Sequence, residues 1–118
     1  MKATFYGVRG SIPTPGETTV KYGGNTTCIH IETDQADYLL DTGSGAVKAG
    51  NDLMKKHKGK VTVDVLLTHP HADHIQGFPF FTPNYVLGCT VKVSRETLYE
   101  KVSTVGNKSE TTNPIKEV

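Results

Sequence analysis

Leu67-Thr68-His69-Pro70-His71-Ala72-Asp73-His74-Ile75-Gln76-Gly77 is the stretch on which the reading of this chain turns. It closes the strongest strand signal in the sequence, Lys60 to Thr68, where Val61, Val63, Val65, Leu66 and Leu67 become continuously apolar toward the end. Such a pattern predicts a strand buried on both faces. The character then changes abruptly. Three of the five histidines lie within the six residues His69 to His74, with Asp73 between them. A lone histidine is usually structural, and a polar loop of hydrogen-bonded histidines is the plain alternative. A dense His/Asp cluster after a buried strand is instead typical of metal ligation. The spacing has a physical basis. His69 and His71, two apart in an extended segment, point to the same side and can grip one ion. Asp73 and His74 then turn toward a second position nearby. Neutral imidazole and carboxylate together suit zinc, manganese(II) or iron(II) better than calcium or magnesium. Two ions about 3.5–4 Å apart would hold a bridging hydroxide, the nucleophile of many hydrolases.

Upstream, Lys2 to Val8 alternates and is rich in β-formers, which predicts a first strand. Arg9 to Gly16 is a loop punctuated by two prolines and two glycines. A β-branched run from Thr26 to Thr33 and a strand from Tyr38 to Asp41, joined by turn residues at 34–37, predict a hairpin. Gly23-Gly24 reads as a turn. After the tight loop Thr42-Gly43-Ser44-Gly45, Ala46 to Lys58 predicts a helix, weakened by Gly50 and stopped by Gly59. Its end, Lys55-Lys56-His57-Lys58, reads as a solvated face that complements the helix dipole. Downstream, Gly77 to Tyr85 is a loop whose Phe78, Phe80, Phe81 and Tyr85 are best spent on core packing. Val86 to Val93 predicts a strand interrupted by Gly88, and Arg95 to Val102 a short helix. Ser103 to Val118 reads as a loose polar tail. Strands first, then helix and strand in alternation, indicate an α/β fold: a mixed sheet with helices on one face.

At 118 residues the chain is one small domain. Its 36% hydrophobic and 21% charged residues are ordinary for a globular protein and argue against global disorder. A formal net charge of +1 demands neither nucleic acid nor an anionic membrane. No apolar run approaches the roughly 20 residues of a spanning helix, and Met1 to Arg9 holds no uninterrupted apolar region of a signal peptide. Cys28 and Cys89 read as buried thiols without a disulfide framework, which suits a reducing, cytoplasmic compartment.

The quoted stretch resembles the metal-binding motif of the metallo-β-lactamase-fold hydrolases. In the same order, Gly7-Val8-Arg9-Gly10-Ser11-Ile12-Pro13-Thr14-Pro15-Gly16, Tyr22-Gly23-Gly24-Asn25-Thr26-Thr27-Cys28 and Leu39-Leu40-Asp41-Thr42-Gly43-Ser44-Gly45 resemble the branch containing ribonuclease Z and related cyclic-nucleotide phosphodiesterases. The resemblance spans Phe5 to Val93. It implies the N-terminal half of an αβ/βα sandwich and two zinc ions, with manganese(II) or iron(II) as substitutes. It implies His69, His71, Asp73 and His74 as metal ligands, and Asp73 also as the catalytic base toward metal-bound water. Asp41 would sit behind the ligands and orient their loop by hydrogen bonds. The implied reaction is hydrolysis of a phosphodiester, in RNA or a cyclic nucleotide, by metal-bound hydroxide.

The chain departs from that family in one respect. The family's second half supplies a further His, a bridging Asp and a last His. Here only His30 and His57 lie outside the cluster, and both precede it. Residues 1–118 are therefore expected to be a single incomplete domain: a truncated gene, a fragment or a frameshifted product. An alternative function is a half-domain that binds metal weakly and catalyses nothing, with its exposed sheet face covered in a homodimer. A third reading takes Asp41-Thr42-Gly43 as the signature of a homodimeric aspartic protease, in which two Asp41 carboxylates share one proton.

Overall fold

The computed structural model describes residues 1–95. Five strands, β1 (Lys2–Gly7), β2 (Cys28–Glu32), β3 (Asp37–Leu40), β4 (Thr62–Leu67) and β5 (Thr90–Arg95), form one sheet in chain order. β2 and β3 are the expected antiparallel hairpin, and β1 pairs antiparallel with β2. β3, β4 and β5 are mutually parallel, so longer connections must join them. The first is α1 (Ala46–Lys56); the second holds α2 (Ala72–Ile75) and 3₁₀ turns at Phe78–Phe80 and Thr82–Tyr85. No described helix is long and apolar enough to cross a membrane. The helix expected from Arg95 and the polar tail from Ser103 lie outside the described residues, apart from Arg95 itself, which ends β5.

The register explains the core. Thr4, His30, Leu39, Val65 and Val93 stand side by side across the sheet. On this face Cys28, Leu39, Val63, Val65, Val91 and Val93 pack with Ala46, Ala49 and Leu53 of α1 and with Phe81. Burial and the negative charge of Asp41 push the Cys28 thiol up to about 12. The adjacent row, Phe5, Ile29, Leu40, Leu66 and Ser94, points the other way. Phe5 is 64% exposed and Leu66 41%. β4 is thus buried on one face, not two. Its apolar run reflects a second face that no described helix covers.

Two other departures have local causes. Gly50 does not weaken α1 by chance: a Cβ there would stand 2.8 Å from Phe81 Cδ1, so the missing side chain admits the ring. The four aromatics after Gly77 divide, with Phe81 in the core, Phe78 half-buried, and Phe80 and Tyr85 exposed. Val86 to Cys89 is a turn, with Gly88 at φ +95° and Cys89 N–H donating to Val86 O (3.2 Å). β5 therefore starts at Thr90, and Cys89 is only half-buried. Nor is the basic run at the end of α1 simply solvated. Lys56 pairs with Glu32 and Asp37. His57 Nε2 meets Asp37 Oδ2 at 2.8 Å, and His30 Nε2 meets Asp37 Oδ1 at 2.7 Å. This buried knot ties the end of α1 to β2 and β3.

Candidate metal centre

Because β1, β3, β4 and β5 run in the same direction, the segments that leave them emerge at one end of the sheet. Loops at the carboxyl ends of parallel strands are where open α/β sheets place their sites. Asp41 follows β3, Thr68 to His74 follow β4, and the loop from Arg9 follows β1. The three meet. Asp41, 2% exposed, accepts the Thr68 backbone N–H at Oδ1 (2.8 Å) and the Thr68 hydroxyl at Oδ2 (2.8 Å). Its Oδ2 also lies 2.8 Å from His74 Nδ1. Ser11 donates its backbone N–H to Asp73 Oδ2 (3.0 Å). That bond, helped by the neighbouring His74 and His71, holds the Asp73 carboxyl below its ordinary range despite partial desolvation.

These bonds orient the histidine rings. A carboxylate only accepts, so His74 Nδ1 carries a proton and donates it in the bond to Asp41, which turns Nε2 of the ring toward Asp73. The Thr68 hydroxyl is committed to Asp41, so His69 Nδ1, 2.9 Å from that oxygen, donates to it and leaves Nε2 outside that bond. An imidazole held at one nitrogen by a carboxylate or hydroxyl and open at the other is the arrangement of a metal-ligating histidine. The His69 ring lies 4.5 Å from that of His71 and 4.1 Å from that of His74, centroid to centroid. His74 Nε2 and Asp73 Oδ2 are 3.5 Å apart. Two donors bound to one tetrahedral ion at about 2.0–2.1 Å stand about 3.3–3.4 Å apart. In donor type, ring orientation and spacing the residues fit a divalent ion. They do not close around one: among the described residues no group of three or more His, Cys, Asp or Glu side chains is placed to hold an ion.

The backbone around the cluster is tightly specified. Thr42 N–H donates to His74 O (2.8 Å) and Gly77 N–H to Thr42 O (2.9 Å). Buried Thr26 accepts Ser44 N–H (2.7 Å) and Gln76 Nε2–H (3.0 Å) at its hydroxyl. Gly43 sits so close to Thr26 Oγ1 and Asp73 O that any side chain would collide. Among the described residues three non-glycine positions have positive φ, and two of them, Ser11 (75°) and Asp41 (63°), are the residues that touch Asp73 and His74. Strained backbone at such points is a mark of a functional site. Volume is not. A cavity of about 540 Å³ lies at the opposite end of the sheet, walled partly by the Asp37 knot, whose charged groups already satisfy one another.

The family model of the metallo-beta-lactamase superfamily matches residues 22–88. The chain belongs to the metallo-β-lactamase superfamily. Five solved chains match it. One is human tRNase Z, short form (ELAC1), with a TM-score of 0.55 and 19% identity over 92% of this chain. The superfamily fold is therefore present here as an α/β unit that spans 42% of that tRNase Z chain. No curated protein matches. Metallo-β-lactamase superfamily members typically bind metal ions. The aspartic-protease reading fails, because α1 begins five residues after Asp41 and the buried carboxylate is engaged by Thr68 and His74. The Asp37–His30–His57 knot left no trace in the sequence reading. Its members are scattered, and only the β2–β3 register and the end of α1 bring them together.

Proposed function

We propose that this chain is the metal-binding N-terminal half of a phosphodiesterase whose substrate is RNA or a cyclic nucleotide. One observation carries the reading: Asp41 and Thr68 accept hydrogen bonds from Nδ1 of His74 and His69, which leaves Nε2 of each ring to an ion, with His74 Nε2 3.5 Å from Asp73 Oδ2. His69 and His71 would hold one ion and Asp73 and His74 a second, zinc in preference to manganese(II) or iron(II). Bound divalent ions lower the pKa of water toward neutrality and offset negative charge on phosphate. Asp41 fixes the His74 ring and, through Thr68, the start of the loop. Asp73, steadied by Ser11, stays ionised and so is able to accept a proton. The likeness to tRNase Z supports RNA as the substrate class. Residues 1–118 would then be one incomplete domain, acting in the cytoplasm.

The lack of a three-donor group among the described residues favours a second reading: a half-domain, covered by a second copy of itself, that holds metal weakly and turns nothing over. Incomplete ligand sets lose much of the affinity of a closed site. Elemental analysis after gel filtration tests both readings. Wild type is expected to retain more zinc or manganese than the His69→Ala/His71→Ala double variant; equal retention overturns both. Hydrolysis of bis-p-nitrophenyl phosphate then separates them. Turnover that chelator removes and added metal restores selects the phosphodiesterase, whereas background turnover with metal retained selects the inactive half-domain.

A further inference from the structure

The loop from Arg9 to Gly24 leaves the sheet beside the histidine cluster and touches it through the Ser11 N–H bond to Asp73. It is braced from within. Arg9 N–H donates to Asn25 O (3.0 Å), Thr14 N–H to Gly24 O (2.8 Å) and Gly23 N–H to Thr19 O (2.7 Å). Arg9 Nε–H donates to Ile12 O (2.8 Å). Compact loops with close ends are frequently functional. This one helps enclose a cleft of about 280 Å³ lined by Val8, Arg9, Thr18, Thr19, Lys21 and Tyr22. No carboxylate lines it. The Tyr22 ring is 73% exposed, among exposed Val8 and Val20, and Lys21 Nζ stands 5.3 Å from its centroid. An exposed aromatic ring that carries an ammonium over one face and leaves the other to a base is the pairing that single-stranded nucleic acid exploits, base on ring and phosphate on ammonium. Arg9 is two residues from Ser11, so the cleft begins within about 7 Å of the backbone that contacts Asp73.

We infer that this cleft binds one nucleotide of a single-stranded nucleic acid, next to the phosphodiester held at the histidine cluster, with its base stacked on Tyr22 and its phosphate beside Lys21. The inference rests on the phosphodiesterase reading and names where that substrate lies. Its test is the anisotropy of a labelled RNA hexamer titrated with the full chain in chelator, so that neither metal nor hydrolysis enters. Tyr22→Ala is expected to weaken binding about tenfold, and Tyr22→Phe to keep it. An abasic hexamer of equal charge should lose a similar factor against wild type and nothing further against Tyr22→Ala. Lys21→Gln should flatten the logarithmic salt dependence by about 0.7. Wild-type chain that does not bind, or that binds independently of Tyr22 and of the bases, overturns the proposal. Binding that depends on Tyr22, in a chain that hydrolyses nothing, sinks the phosphodiesterase reading and leaves the subsite. Metal-dependent hydrolysis with hexamer affinity indifferent to Tyr22 does the reverse.

Discussion

Asp37 opens the four-residue strand β3 and Asp41 directly follows it; both are buried aspartates, and their surroundings give them different work. Asp41 faces the histidine cluster; Asp37 anchors α1. Burial alone would raise the Asp37 carboxyl, but the hydrogen bonds from His30 and His57 and the charge of Lys56 outweigh it and hold it below the ordinary range. In the unfolded chain Asp37 titrates near about 3.9. Between the folded and unfolded values the unfolded chain binds more protons, so the stabilisation is complete above the unfolded value and lost as pH falls through the folded one. Asp37→Asn is expected to cost about 2 kcal/mol at neutral pH. The gap from wild type should close below about pH 4. Urea unfolding across that range checks it, and a gap independent of pH would contradict it. At this scale the sequence was legible where the clustered residues are neighbours in the chain, as from His69 to His74, whose rings the structure brings together. His30, Asp37 and His57 were not, because their meeting depends on strand register.

At the scale of elements, α1 shows how a residue that looks like a defect can be a fit. Glycine in a helix interior costs up to about 1 kcal/mol relative to alanine, so Gly50→Ala would ordinarily stabilise. Here the added methyl meets the buried Phe81 ring and Pro83, and overpacking a filled core costs about 1–3 kcal/mol. Gly50→Ala is therefore expected to lower the melting temperature. In a Phe81→Leu background the same substitution should be neutral or stabilising. Thermal unfolding of the four proteins decides it, and a higher melting temperature for the single variant would refute it. The β2–β3 hairpin and α1 were readable because turn chemistry and helical period are local signals. The one-sided burial of β4 was not, since an apolar run looks the same whether the chain or something else covers its second face. The start of β5 was misplaced because Val86 and Leu87 have strand propensity but sit before the turn at Gly88.

At the scale of the whole molecule, the sheet face that the described residues leave uncovered sets the expected behaviour in solution. Phe5, Ile29, Leu40 and Leu66 make a continuous apolar row across four strands. Patches of this kind drive association. Sedimentation velocity at micromolar concentration is expected to show dimers or larger species, and Phe5→Lys/Leu66→Lys to shift the chain toward monomer. A wild-type chain that sediments as a compact monomer would refute this. The bonds that assemble the histidine cluster carry a different consequence. Ser11 and Asp73 are 62 residues apart, Thr26 and Gln76 50, and Asp41 and His74 33, whereas the β2–β3 hairpin closes over a few. Loop-closure entropy grows with separation, and distant contacts are rewarded late. The expected order of folding is then hairpin first and the loop from Thr68 to His74 last. On partial unfolding the chain would lose the geometry of its histidine cluster while much of its sheet still stood.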